Sequence, residues 1–323
     1  MLRKLFESPV LRRILAAIGT LIGVAVLVFI MLRALPGDQI QAAYGTEAAA
    51  LSPEQRTALE AYYGIDQPLF VQFFSWAGQL LTGNLGISTR GQETVANMTM
   101  QSLPVTFQLA LLAIIIALVI GVGFGVLAAA AKGKFRDWLG QSISLLGLGV
   151  PTFLLGAAIL TIAAQLLGFN PNGLPYAHPW ENPLLNFNQM IIPAAVLGFS
   201  VAAPILRTTR ASFLEVSELD FVRTARAKGI SVKRVRWNHI LRNASLPIVT
   251  MTGMQFGFLL GGAVVIEQIF SLPGLGRQVL LAINQKDFAV VQSTVLIIAL
   301  LFVLVNLATD LLYRRIDPRV RAE

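Results

Sequence analysis

The chain has 323 residues, 55% of them hydrophobic and 13% charged, with a mean hydropathy of +0.68. Soluble domains carry about 25% charged residues, so an ordinary water-soluble globule and a disordered chain are both excluded. The net charge of +8 then marks loop asymmetry in a membrane protein rather than a nucleic-acid surface, and the absence of cysteine removes disulfides, thiol catalysis and cysteine metal sites.

A bilayer core of about 30 Å needs about 20 apolar residues of helix. The first such run is Ile14–Leu32, preceded by Arg3, Lys4, Arg12 and Arg13. It is too long for a signal-peptide core and lacks a small-residue cleavage site, so it reads as an uncleaved first span. The second span lies within Val105–Ala131, the third at about Ile143–Leu167, and the fourth at about Met190–Leu206, with Pro193 and Pro204 inside. The fifth lies between Asn243 and Ile266, and the sixth between Phe288 and Thr309. Lys and Arg alternate with the spans. Four precede the first, Lys132, Lys134 and Arg136 follow the second, nine lie in Arg207–Arg242, and four follow the sixth. The opposite side holds five, Arg33, Arg56, Arg90, Arg277 and Lys286. This bias predicts six spans with both termini in the cytoplasm.

Between the first two spans, residues 33–93 face outward. Ser52-Pro53-Glu54-Gln55 is a capping-box pattern, Gly64 closes that helix, and Asp66 is a candidate cap for the next. The second helix carries an apolar stripe of Leu69, Phe70, Phe73, Phe74 and Leu80 and stops at Gly83. A helical cap on the membrane interface is expected, compatible with docking of an external partner. In Arg207–Arg242, Asp220 is a candidate N-cap for Phe221–Lys228, Gly229 a left-handed terminator, and Ser231 the start of a second short helix through Leu241. Attraction to anionic lipid would explain the charge of this segment. It would not explain the caps, the glycine, or the apolar Phe221, Val222, Ala225, Val232 and Val235. A docking element explains all of them. After span five, Phe270–Gly276 reads as a tight turn before the amphipathic Gln278–Asn284, a re-entrant or interfacial helix on the outer face.

No phosphate-cradling glycine loop occurs, since Gly133-Lys134 continues into Phe135 and lacks the earlier glycine. His178 and His239 fall on opposite sides of the membrane and cannot share a metal. Ion-coupled transporters place acidic or histidine groups near mid-membrane. Here Glu267 and Asp310 are expected at the ends of spans five and six, as interfacial groups. Gly121, Gly123, Gly125, Ala128–Ala131, Gly257, Gly261 and Gly262 favour close helix packing. Such a bundle, with a docking element and no coupling acid, takes its energy from a partner. A secondary transporter is weakened by the missing intramembrane charges, and a membrane scaffold or channel would not require the docking element.

Several motifs in one order carry a resemblance. They are Pro36-Gly37-Asp38, Tyr63–Leu69, Gly83–Ser88, Leu103–Thr106, Arg207–Arg210, Glu215–Gly229, Leu241–Pro247, Ile269–Arg277 and Asp317-Pro318-Arg319. Across almost its whole length the chain resembles the first permease of the dipeptide/oligopeptide/nickel branch of ABC importers. Four departures stand out. Arg223-Thr224-Ala225 replaces the family's opening Glu-Ala-Ala, and 16 residues separate Gly229 from Leu246-Pro247. Gln39 and Asn84 stand where Pro and Asp are frequent.

The resemblance implies an all-α polytopic fold of the type I ABC importer permease kind, with six transmembrane helices and cytoplasmic termini. It divides the chain into a tail and first helix (1–33), an extracytoplasmic helical region (34–93), a five-helix core (94–313) and a cytoplasmic tail (314–323). Within the core it marks a coupling segment at 207–245 and an outer re-entrant segment at 271–287. Coupling to an ATPase falls on Asp220, Phe221, Arg223, Thr224, Ala225, Arg226, Ala227, Lys228, Gly229, Ile230 and Ser231. The implied partners are a second homologous permease, two cytoplasmic ATPase subunits, an extracytoplasmic binding protein and the lipid bilayer, with no nucleic acid. ATP and Mg belong to the ATPases; this chain binds no cofactor or metal and is not an enzyme. The implied location is the bacterial cytoplasmic membrane. The implied cargo is di- or oligopeptides, with nickel, glutathione, oligosaccharides or opines as alternatives.

Overall fold

The computed structural model describes residues 9–34, 40, 44–170 and 173–316. Arg3, Lys4, the Pro36-Gly37-Asp38 motif, Gln39, the Asp317-Pro318-Arg319 motif and Arg321 lie outside the described residues. The described chain is helical, its one bridge being Ile87 with Thr94. It forms two compact units, residues 1–105 with 273–303, and residues 106–272 with 304–323.

The first unit begins with α1 (Pro9–Ala34), the first span. Two shorter helices follow a 3-10 turn (Gly45–Ala50). They are α2 (Pro53–Tyr63) and α3 (Leu69–Leu81). The capping box of α2 is complete: Ser52 Oγ accepts from Gln55 N, and Gln55 Oε1 accepts from Ser52 N. Gly64 ends the helix at φ +65°. Asp66 does not cap α3. The N-cap is Pro68, which has no side-chain oxygen to offer, and Asp66 instead accepts from Gln67 Nε2. No residue of α3 is buried, and Leu69, Phe70 and Phe74 are exposed, as an interfacial helix requires. Its other face meets α1 through Phe29, Phe73 and Trp76, with the Arg33 guanidinium 3.9 Å over the Phe29 ring and bonded to Gln72.

The unit's core gathers Val28 and Leu32 of α1, Val95, Ala282 and the run Phe288, Val290, Val291. These last belong to α11 (Leu275–Gln285), the amphipathic helix expected after span five, and to the start of α12 (Phe288–Ile316), span six. The Gly83–Ser88 motif makes the turn that follows α3. Gly83 and Gly86 take φ of +81° and +90°, and Asn84 Oδ1 accepts from Gly86 N at 3.0 Å. That acceptor is a role an aspartate would fill equally. Ser88 Oγ donates to the buried Asp287 at 2.6 Å.

The second unit holds most of α4 (Val95–Ala129), then α5 (Phe135–Gly149), α6 (Thr152–Leu167), α7 (Pro183–Ser217), α8 (Asp220–Ala227), α9 (Arg242–Gly262) and α10 (Val264–Ile269). Small residues let α4 and α7 touch. A Cβ on Gly125 would lie 3.0 Å from Leu206 O, and one on Gly198 2.8 Å from Ala113 O. Gly140 and Gly147 of α5 meet Ala128 and Ala203 in the same way.

Two expectations change. The third span is not one helix over Ile143–Leu167. It is the pair α5 and α6, bent by 101° at Val150-Pro151. Pro151 cannot donate to the Gly147 carbonyl, Val150 before it is extended (φ −90°, ψ 120°), and Ser200 Oγ approaches the freed oxygen at 3.5 Å. Glu267, expected at the interface, is 0% exposed, and Thr106 Oγ1 donates to it at 2.6 Å. Asp310 of α12 is partly buried. Between α6 and α7, Tyr176, Asn186 and Gln108 share hydrogen bonds, and burial pushes the Tyr176 hydroxyl pKa up to about 12.

Candidate functional site

The coupling residues singled out in sequence form a single element. Helix α8 starts one position earlier than its cap signal suggested: Leu219 is the N-cap, and Asp220 sits in the first turn without a side-chain cap. A carboxylate there still suits the positive end of the helix. Its contact with Arg223, at 3.3 Å, joins two exposed groups and contributes little.

The C-terminus follows the sequence closely. Gly229 takes φ +73°, its N–H donates to Arg226 O at 3.0 Å, and Ile230 N–H donates to Ala225 O at 3.3 Å. This is a Schellman arrangement, which needs a left-handed residue at that position. A Cβ on Gly229 would meet nothing within 4 Å, so conformation alone selects glycine here.

Helix α8 is seated by two side chains. Val222, 0% exposed, and Ala225 pack with Val126, Ala129, Phe213, Val235 and Ile240, and Ile230 closes the edge. Turned away from this seat are Asp220, Phe221, Arg223, Thr224, Arg226, Ala227, Lys228, Gly229 and Ser231, all exposed. The hydrophobic face thus anchors the helix, and a basic face with Phe221 in it stays exposed. Of the apolar residues noted in sequence, Val222, Ala225 and Val235 belong to the seat, whereas Phe221 and Val232 stand outside it.

The second short helix is not separate. From Val232 the backbone continues helically through a π-helical stretch, Val235–Leu241, into α9, forming one helix over Val232–Gly261. Arg242 to Leu246 contain no helix breaker, and Pro247 is accommodated inside α9. Span five therefore begins within the 207–245 segment itself.

Near the same end of α7, sequence reasoning missed an ion pair. Arg210 Nε and Nη2 bond Asp137 Oδ1 and Oδ2 at 2.6 and 2.8 Å. Asp137 also accepts from Gly133 N at 2.9 Å and from Gln141. The carboxylate fixes the turn between α4 and α5 against α7.

The family model described as binding-protein-dependent transport system inner membrane component matches residues 121–322. The model for the N-terminal part of such components matches residues 6–110. The chain belongs to this family. The permease is 38% identical over 312 residues to the glutathione transport system permease protein GsiC of Escherichia coli O6:H1, covering 97% of this chain and 98% of that one. It has the same identity and coverage with the GsiC protein of Salmonella typhimurium. Among solved structures it resembles in fold the inward-facing MetNI methionine ABC transporter, with a TM-score of 0.54 and 17% identity over 68% of this chain and 96% of that one. The permease is thus a multi-pass bacterial inner-membrane subunit of a binding-protein-dependent ABC importer.

Proposed function

We propose that the permease forms, with a second similar permease, an ATP-gated path for short peptides, glutathione among them. The observation that supports this cargo is the 38% identity to glutathione permeases over nearly the whole of both chains. Helix α8, with its exposed face from Asp220 to Ser231, seats in a cytoplasmic ATPase subunit. ATP and Mg bind there, and this chain contributes no catalytic group. An external binding protein delivers cargo on the opposite face. Closure of two ATPases turns the permease pair outward, and hydrolysis returns it inward to release cargo.

This reading places both termini and the 207–245 segment in the cytoplasm and residues 34–93 outside. The distribution of Lys and Arg supports that orientation. The unbroken helix from Val232 into α9, which follows α8 after the Gly229 turn, suits the transmission of force.

The test is ATP-dependent uptake into proteoliposomes holding the permease with its neighbouring permease, ATPase and binding-protein subunits. Labelled glutathione and a labelled dipeptide should compete for entry, and entry should require ATP. Uptake of neither, by an assembled complex that hydrolyses ATP, would refute the cargo class.

A further inference from the structure

The turn from α4 into α5 leaves a cavity of about 810 Å³ against α7. Its wall includes the Asp137–Arg210 pair, whose charges cancel. Two cations remain, Lys134 and Arg207, both exposed and neither in an ion pair among the described residues. Beside them Phe135 and Trp138 stack with centroids 5.8 Å apart, yet stand 71% and 62% exposed. Seven residues on from Trp138, Leu145 lies on the same stripe of α5, is exposed, and also lines the cavity.

The order of these features along α5 carries the argument. Lys134 comes first, then an aromatic pair of the type found at membrane interfaces, then an exposed apolar stripe, while Arg207 faces the same cavity from α7. A soluble polyanion would use the cations alone and leave the aromatics and leucine in water. An amphiphile with an anionic head and acyl tails uses all three. We propose that this cavity binds the headgroup of an anionic phospholipid, with an acyl chain along the Trp138–Leu145 stripe. Assignment to the inner leaflet rests on the orientation proposed above; the binding does not.

The test uses the assembled importer in phosphatidylcholine nanodiscs with a minor fraction of phosphatidylglycerol brominated on its acyl chains. The Trp138 signal is the difference in fluorescence between the native chain and Trp138→Phe. Brominated phosphatidylglycerol should quench it more strongly than brominated phosphatidylcholine at the same fraction. Lys134→Gln and Arg207→Gln should each lower that preference about fivefold, while the charge-retaining Lys134→Arg and Arg207→Lys preserve it. Lys233→Gln, which removes a cation elsewhere on the same side, should leave it unchanged. Equal quenching by the two lipids would reduce the site to an unspecific annulus, and no quenching by either would mean that another subunit covers this face. A loss of preference as large in Lys233→Gln would leave only bulk surface potential. Each of these three results overturns the proposal. The readout is independent of transport, so failure of the cargo assignment would not affect it.

Discussion

Arg210 and Asp137, 73 positions apart, form a two-point ion pair with bonds of 2.6 and 2.8 Å. The carboxylate side chain is 4% exposed and the guanidinium 25%. Removing one member leaves the other charge with little solvent. Asp137→Ala should cost an amount near the low end of the ~3–5 kcal/mol range for broken buried pairs, because Arg210 keeps some contact with water. Arg210→Lys loses the planar two-point geometry and should also destabilise. Thermal unfolding in detergent measures both. Replacing the two residues together by leucine should recover part of the loss, and a double variant no better than Asp137→Ala would contradict this account.

At Gly229 the expected defect is functional. Valine at φ +73° is strained, on the order of 1–2 kcal/mol, though it meets no neighbour. A cost of that size would tilt α8 on its seat without unfolding the permease. Gly229→Val should insert normally, yet co-purify poorly with its ATPase or leave hydrolysis uncoupled from uptake, with alanine intermediate. Wild-type binding and uptake in Gly229→Val would remove the coupling role from this segment.

Two glycines of α4 provide a matched pair. A Cβ at Gly125 would lie 2.6 Å from Thr209 Cβ and 3.0 Å from Leu206 O, whereas one at Gly123 meets nothing within 4 Å. Gly125→Val should destabilise by about 1–3 kcal/mol through overpacking. Gly123→Ala should be neutral or slightly stabilising, because alanine favours helix by about 1 kcal/mol over glycine. The order of the two melting temperatures is the check.

Burial of Glu267 calls for separating structure from coupling. Glu267→Gln keeps an oxygen that can accept from Thr106 Oγ1 and should retain ATP-dependent uptake. Glu267→Ala withdraws that acceptor and should lower stability by about 1–3 kcal/mol. Loss of uptake in an assembled, stable Gln variant would assign the carboxylate a proton-relay role.

Because the chain has no cysteine, single cysteines report orientation directly. At positions 134 and 234 they should resist an impermeant thiol reagent in intact cells. A cysteine at position 57 or 79, on α2 or α3, should react. Strong labelling at 134 or 234 would invert the proposed topology.

Features set within one turn of chain were legible in sequence. The Ser52–Gln55 box and the Gly229 terminator depend on residues three or four apart, so their chemistry is visible in the string. Five of the spans were legible because apolar length alone selects them, whereas the third qualifies only as the bent pair of α5 and α6. Proline did not announce its own effect: Pro104, Pro193, Pro204 and Pro247 sit inside continuous helices, whereas Pro151 separates two. What distinguishes Pro151 is tertiary, including Ser200, which lies 49 positions away. The Asp137–Arg210 pair was invisible for the same reason, with Arg210 counted among the basic loop residues. Glu267 stands just past the end of span five, as counting placed it, but its burial was not legible because counting along a span gives depth and not packing.

The π-helical stretch from Val235 to Leu241 has a consequence for how this chain tolerates change in length. A π turn holds more residues than an α turn. An α-helix advances 3.6 residues per turn, so each residue gained or lost rotates everything beyond it by about 100°. The stretch therefore sets the rotational phase of α9 relative to α8. A point substitution there leaves that phase alone. A one-residue deletion within it lets the wide turn close to an α turn and keeps the fifth span's side chains on the same neighbours. The same deletion inside α9 would turn all those beyond it, so this short stretch is where the gene loses a codon with least effect.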